Sequence, residues 1–122
     1  MPEEPAPRRG EIWYVDFSPA RGSEQAGRRP ALVIQNDAGN RNPRYPNTIV
    51  LAMSTRGKRV PFHVRIDPAR GNGLQEKTYV KCEQILTIAK ARLTGDSPLG
   101  RISSGQVRQV EAATLLAIGI GL

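Results

Sequence analysis

Apolar and polar residues alternate in short runs along most of the 122-residue chain, which predicts a protein built mainly from β-strands. The runs are rich in branched and aromatic side chains, and clusters of Gly, Pro and Asn separate them as turns. The predicted strands are residues 11–17, 31–34, 48–53, 62–66, 78–82 and 84–88. Short strands at this spacing favour a small antiparallel barrel or sandwich.

The end of the chain has helical spacing instead. Ser103 is a candidate N-cap, and Gln106 stands where a capping-box partner is expected. Mostly apolar residues then recur at helical intervals from Val107 to Ile118, which predicts an amphipathic helix that packs on the barrel. Gly119 is expected to weaken its last turn. The predicted fold is therefore mainly β with a C-terminal helix.

Composition fits one globular domain. We expect a flexible, Pro-rich tail at residues 1–9 and a single domain at residues 10–122. No apolar run approaches the ~20 residues that span a membrane, and the N-terminus lacks the apolar core of a secretory signal. The single cysteine, Cys82, excludes an intrachain disulfide, so a cytoplasmic location is expected. With one cysteine and one histidine, the usual kind of zinc site is not expected, nor is any other cofactor.

Positive charge is concentrated in one part of the chain. Of the formal net charge of +7, the window from Arg21 to Arg59 contributes +6, with eight basic residues against Glu24 and Asp37. Such a segment suits a polyanion, because bound phosphates release condensed counterions. A solvated basic surface is the alternative explanation, since basicity alone does not identify a nucleic-acid-binding protein.

Residues 22–30 combine a carboxylate and two guanidiniums in one short polar connection. RNA supplies its own nucleophile, the 2′-hydroxyl, so cleavage needs a base, a donor to the leaving oxygen and groups that stabilise the charged phosphorane. Glu24 is a candidate base, and Arg28 or Arg29 a candidate phosphate fork. Ser54 and Thr55, at a strand end, are candidate hydroxyl donors. An ordinary polar loop remains the alternative.

Several segments resemble one family. They are residues 9–19 (RGEIWYVDFSP), 22–34 (GSEQAGRRPALVI), 35–40 (QNDAGN), 48–55 (TIVLAMST), 61–64 (PFHV) and 82–88 (CEQILTI). Their ordered series resembles the MazF/PemK family, the toxins of bacterial type II toxin–antitoxin pairs, and covers roughly residues 8–118. The resemblance implies an SH3-like barrel of the MazF/CcdB type, with a C-terminal helix, that works as a homodimer.

The resemblance also implies an activity. Family members are metal-independent, sequence-specific endoribonucleases that cut single-stranded mRNA, leave 2′,3′-cyclic phosphate and 5′-hydroxyl ends, and stop translation and growth. The implied partners are single-stranded RNA and a cognate MazE-like antitoxin, whose acidic disordered tail would lie in a basic groove.

The family's site residues transfer to individual positions here. The arginine before the motif proline, the central catalytic residue, corresponds to Arg29, and its threonine partner corresponds to Ser54, with Thr55 as the alternative hydroxyl. Glu24 matches a loop glutamate that could activate the 2′-hydroxyl. An acid–base pair assigned in one branch corresponds to Lys81 and Glu83. We rank that pair second because lysine lacks the guanidinium fork.

Other residues complete the set of expectations. His63 is expected to be a solvent-facing strand residue more than a base, and Cys82 to be a buried small residue. The residues expected to contact RNA are Arg28, Arg41, Arg44, Tyr45, Arg56, Lys58 and Arg59.

Two other function classes remain open. The same fold family includes toxins that poison DNA gyrase, although these match residues 22–30 poorly. A non-catalytic SH3-like RNA-binding module would also explain the basicity, but not the combination of Glu24, Arg29 and a strand-end hydroxyl.

Overall fold

The chain forms an antiparallel sheet with a C-terminal helix. The computed structural model describes residues 6–17 and 27–121, and within them seven strands and two α-helices are found. They are β1 (Glu11–Asp16), β2 (Arg28–Val33), α1 (Asp37–Arg41), β3 (Asn47–Ser54), β4 (His63–Ile66), β5 (Thr78–Ala89), β6 (Leu93–Thr94), β7 (Gly100–Arg101) and α2 (Ser104–Ala117). The strand order is β4-β5-β3-β2-β1-β6, and β7 also pairs with β1. The predicted mainly β fold is confirmed.

Two strand predictions were wrong in their bounds. β2 begins at Arg28, not at residue 31, because Pro30 favours an extended Arg29 and the segment pairs with β1. The predicted strands 78–82 and 84–88 are one long strand, β5. Along it Ala52 pairs with Lys81 but Leu51 pairs with Ile85, so residues 82–84 bulge out of the ladder.

The segment expected to be a loop at residues 36–47 contains the short helix α1. Asn36 caps it by accepting the Gly39 N–H at 2.8 Å. At its other end, the buried Lys90 ammonium donates to the carbonyl oxygens of Gly39 and Asn42, each at 3.0 Å. These bonds tie α1 to the segment that follows β5.

The predicted capping box of α2 is confirmed. The Ser103 hydroxyl accepts the Gln106 N–H at 3.1 Å, and the Gln106 side chain accepts the Ser103 N–H at 3.0 Å. Val110 and Ala113 are the buried residues of the helix. Gly119, at φ +82°, follows its end, where a left-handed conformation is least costly for glycine. No helix of the described ranges is long and apolar enough to cross a membrane.

The boundary predicted between tail and domain at residue 10 stays a prediction. Arg9 is already bound to the rest of the protein. Its backbone N–H donates to the Asp37 carboxylate at 2.8 Å, and its guanidinium pairs with Glu111 of α2 at 2.8 Å.

Apolar side chains form two buried clusters because residues along a strand alternate between the two faces of the sheet. The cluster that includes residues of α2 comprises Ile12, Leu32, Leu51, Met53, Ile66, Val80, Cys82, Ile102, Val110 and Ala113. The other comprises Trp13, Val15, Ala31, Val33, Val50, Ile88 and Leu93. We call the sheet face of the second cluster the site face, because the candidate catalytic residues share it.

Candidate functional site

The two residues ranked first for catalysis lie on neighbouring strands. β2 and β3 pair Ala31 with Ala52, and continuing this register by two residues places Arg29 opposite Ser54. Opposite residues of antiparallel strands have Cα atoms about 4.5–5.5 Å apart and side chains on the same face. On this register Arg29 and Ser54 share one face of neighbouring strands, although 25 residues separate them in sequence.

The same row continues onto two further strands. Ser54 pairs with Tyr79 of β5, and Tyr79 pairs with Arg65 of β4. Four side chains from adjacent strands thus form one row, which spans about 14 Å at the usual strand spacing. We call Arg29, Ser54, Tyr79 and Arg65 the site row. Sequence reasoning missed Tyr79 and Arg65, because only the strand register relates them to Arg29.

Lys81 and His63 occupy the next positions on the site face. They pair with each other, and Lys81 also pairs with Ala52 of β3. The second-ranked Lys81 is therefore a neighbour of the site row. Its expected partner, Glu83, lies in the bulge of β5 and is bound by His63.

The geometry distinguishes Ser54 from Thr55. Ser54 ends β3 on the site face, and its oxygen accepts the Arg56 N–H at 3.1 Å. A hydroxyl has one proton and two lone pairs, so this bond leaves the Ser54 proton free to be donated. Thr55 is exposed and lies one residue beyond the strand. Ser54 is therefore the better placed donor to a phosphate beside Arg29.

Glu24 lies outside the described residues. The ends of its segment are nevertheless joined, because the Phe17 N–H donates to the Gly27 carbonyl oxygen at 2.9 Å. Gly27 is two residues before Arg29, so Phe17 and Gly27, the described residues on either side of residues 18–26, lie near the site row.

Arg28 points away from Arg29. Its Cζ atom lies 4.3 Å from the centre of the Tyr14 ring, and its Nε donates to the Thr94 hydroxyl at 2.8 Å. Because neighbouring residues of a strand face opposite sides, these contacts are on the face away from the site row. Arg28 therefore lies on the opposite face from the site row, and the expectation that it contacts RNA stays a prediction.

The other residues expected to contact RNA fall into two groups. Arg41, Arg44 and Tyr45 precede β3, whereas Ser54 ends it, and seven residue steps of strand separate these ends by about 23 Å. Within one chain the fold does not bring these three to the site row. Arg56, Lys58 and Arg59 directly follow Ser54, and we call residues 56–59 the basic segment.

His63 was wrongly predicted to face solvent. Its side chain is only 5% exposed, and its Nε2 atom lies 2.9 Å from a carboxylate oxygen of Glu83. Its Nδ1 atom accepts the Lys58 N–H at 3.0 Å. The contact with Glu83 could not be found by spacing, since 20 residues separate the two side chains in sequence.

The prediction for Cys82 is confirmed. Its side chain is fully buried in the cluster beside α2, and this burial raises the pKa of the thiol. A hydrogen bond with Thr114 acts in the opposite direction. Cys82 therefore lies away from the site face and is not prepared as a nucleophile. Among residues 6–17 and 27–121, no group of three or more His, Cys, Asp and Glu side chains could hold a metal ion.

Comparison with known proteins extends these observations. A family model described as PemK-like, MazF-like toxin of type II toxin–antitoxin system matches residues 8–118. The endoribonuclease MazF9 of Mycobacterium tuberculosis is 41% identical over 117 residues, which cover 93% of this chain and 97% of that protein. The endoribonuclease EndoA of Bacillus subtilis is 46% identical over 89 residues, covering 71% and 74% of the two chains.

A solved structure shares the fold. It is an endoribonuclease in complex with its cognate antitoxin from a mycobacterial species, with a TM-score of 0.76, 23% identity, and coverage of 95% of this chain and 98% of that one. The family model covers nearly all of the chain, including the whole sheet and both helices. The chain therefore belongs to the PemK-like, MazF-like toxins of type II toxin–antitoxin systems.

Proposed function

We propose that this toxin is a metal-independent, sequence-specific endoribonuclease that cleaves single-stranded RNA by attack of the 2′-hydroxyl on the adjacent phosphorus. One feature carries the proposal: Arg29 and Ser54 lie on neighbouring strands, and the register of the Ala31–Ala52 pair, continued by two residues, sets them opposite each other, next to a basic segment. The relatives named as endoribonucleases support the same reaction class.

The reaction balances without an outside reagent. The 2′-oxygen forms a bond to phosphorus and loses its proton to a base, while the bond from phosphorus to the 5′-oxygen breaks and that oxygen takes up a proton. The products are a 2′,3′-cyclic phosphate and a 5′-hydroxyl. Because the nucleophile belongs to the substrate, the enzyme supplies proton transfer and charge stabilisation.

Arg29 is best suited to stabilise charge. A guanidinium stays protonated throughout the working pH range and presents a planar fork of donors to two phosphate oxygens. Ser54 would donate its free proton to the same phosphate. Two such donors, fixed by paired strands, cost little reorganisation when the phosphorane forms.

Two carboxylates are candidates for the base. Glu24 is the first, because it lies five residues before Arg29 in sequence and matches a glutamate of the same loop in the family. Glu83 is second, because His63 holds its carboxylate beside the site face, where His63 pairs with Lys81. With Glu83 as the base, Lys81 would bind the phosphate and donate the proton that the leaving 5′-oxygen takes up.

The proposal includes partners. We propose a homodimer, which would cover part of the apolar surface at Leu115, Ile118 and Ile120, each about half exposed. A cognate antitoxin is the second partner, in keeping with the mycobacterial endoribonuclease solved in complex with its antitoxin. Its acidic tail would compete with RNA for the basic segment. Because the proposed substrate is mRNA in translation, we propose that the toxin acts in the cytoplasm.

Two experiments test the reaction: one analyses the ends of the RNA products, and the other uses an RNA substrate that lacks a single 2′-hydroxyl. A mixed single-stranded RNA should be cut at discrete positions, and the new 5′ ends should accept phosphate from polynucleotide kinase directly. A single 2′-deoxy nucleotide immediately 5′ to a mapped cut should abolish that cut and leave others intact. Cleavage at the deoxy position, or 5′-phosphate ends, would contradict the 2′-hydroxyl mechanism. Intact RNA would show that the chain is not an endoribonuclease.

A further inference from the structure

The basic segment is attached to the site face at three consecutive residues, and each attachment uses a side chain of that face. The attachments are the Arg56 N–H to the Ser54 oxygen at 3.1 Å, Gly57 against the ring of Tyr79, and the Lys58 N–H to Nδ1 of His63 at 3.0 Å. The segment carries three cations, so these contacts decide where its positive charge lies relative to the site row.

The hydrogen bond from the Lys58 N–H determines which nitrogen of the His63 imidazole carries the proton. A backbone N–H can only donate, so Nδ1 of His63 must offer its lone pair. In the neutral ring the proton is then on Nε2, which lies 2.9 and 3.0 Å from the two carboxylate oxygens of Glu83. Glu83 thus holds the tautomer that the Lys58 bond requires.

The ring is also fixed by packing. It is 5% exposed, and the Phe62 ring meets it edge-on, with centroids 5.4 Å apart and planes at 89°. Both nitrogens are occupied, so His63 has no lone pair to offer as a general base. What it can do is orient the backbone at Lys58.

We propose that His63, held by Glu83 in the Nε2-protonated form, is a positioning residue that orients the basic segment for RNA. This inference rests on the proposed function, because it takes RNA as the ligand of that segment. Ordering the segment before RNA arrives lowers the entropy lost on binding. His63 therefore affects binding more than the chemical step.

Two variants separate the contacts of the imidazole. His63→Asn keeps an oxygen near the position of Nδ1, so it retains an acceptor for the Lys58 N–H and loses Glu83. His63→Gln keeps a donor that reaches Glu83 and loses the acceptor. Loss of one such hydrogen bond should raise KM for RNA about three- to tenfold in His63→Gln. In both variants kcat should stay within about twofold, and His63→Asn should keep KM within about twofold of the natural protein.

A second measurement needs neither cleavage nor a variant. His63 is the only histidine of the chain, so long-range ¹H–¹⁵N correlation of the RNA-free protein gives a single imidazole pattern. It should show a protonated Nε2 and an unprotonated Nδ1, with a Lys58 amide that is slow to exchange.

The outcomes are distinct. A protonated Nδ1, or a KM for His63→Gln equal to that of the natural protein, would overturn the positioning role while leaving the endoribonuclease intact. A fall in kcat without a change in KM would also overturn it. If the natural protein fails to cleave RNA, the proposed function fails, whereas the imidazole pattern still tests whether His63 holds Lys58.

Discussion

Replacing Gly57 with alanine should displace the basic segment by an amount that the structure sets. A Cβ atom built on Gly57 would lie 2.2 Å from Cγ of Tyr79, whereas ordinary van der Waals contact begins near 3.4 Å. The backbone must therefore retreat by about 1.2 Å, because Tyr79 is held in the central strand β5. The same movement would stretch the 3.0 Å bond from the Lys58 N–H to His63 beyond hydrogen-bonding distance.

The displacement should lower both stability and RNA affinity by a small amount. Loss of one hydrogen bond costs about 0.5–1.5 kcal/mol, and the entropy gained by replacing glycine applies only where alanine fits without strain. The free energy of unfolding should therefore fall by about 0.5–1.5 kcal/mol. KM for a single-stranded RNA should rise about three- to tenfold, with kcat nearly unchanged.

Gly105→Ala is the matched control for Gly57→Ala. A Cβ atom at Gly105 meets nothing closer than 3.9 Å, and the residue lies in α2, where alanine is preferred to glycine. This variant should have unchanged RNA kinetics and a slightly higher unfolding temperature. The two measurements are steady-state cleavage of a fluorogenic RNA and thermal unfolding. If Gly57→Ala and Gly105→Ala have the same KM, the reasoning about the segment is refuted.

Two more predictions concern hydroxyl and thiol groups. Ser54→Ala should lower kcat by about 10²–10³-fold, the usual cost of removing one donor to a developing oxyanion. The kcat of Thr55→Ala should stay within about threefold of that of the natural protein. Equal losses of kcat in cleavage assays would refute the choice of Ser54. Because burial raises the pKa of Cys82, its thiol should resist a disulfide reagent at pH 8 in the folded protein and react at once in denaturant. Rapid labelling of the folded protein would contradict this burial.

The sequence predicted the elements whose signal is local. The capping box from Ser103 to Gln106 and the apolar spacing after it were enough to predict α2. The start of β2 was missed because Arg28 and Arg29 are both charged and do not continue the apolar pattern of the strand. They belong to β2 because they pair with β1. The cap residue Asn36 was the one available signal for α1, a five-residue helix without an apolar stripe.

The candidate site was predictable only as separate residues. Arg29 and Ser54 followed from the resemblance, but Tyr79 and Arg65 join them through strand register, which one sequence does not show. The same reason accounts for the error at His63. Its alternating run indicated a strand, yet its exposure depends on Glu83 in a bulge of a different strand.

In the proposed reaction Arg29, and not its neighbour Arg28, acts on the phosphate. The direct test is cleavage of a mixed single-stranded RNA in EDTA by the natural protein, Arg29→Ala and Arg28→Ala. Arg28 stacks on Tyr14 on the far face, so its loss should cost at most about 1 kcal/mol of stability.

We predict discrete cuts by the natural protein and by Arg28→Ala, and a loss of at least about 10²-fold in rate with Arg29→Ala. Cuts that vanish in EDTA would contradict the metal-free mechanism. If Arg29→Ala cleaves RNA as fast as the natural protein, Arg29 does not act on the phosphate and the proposed site is wrong.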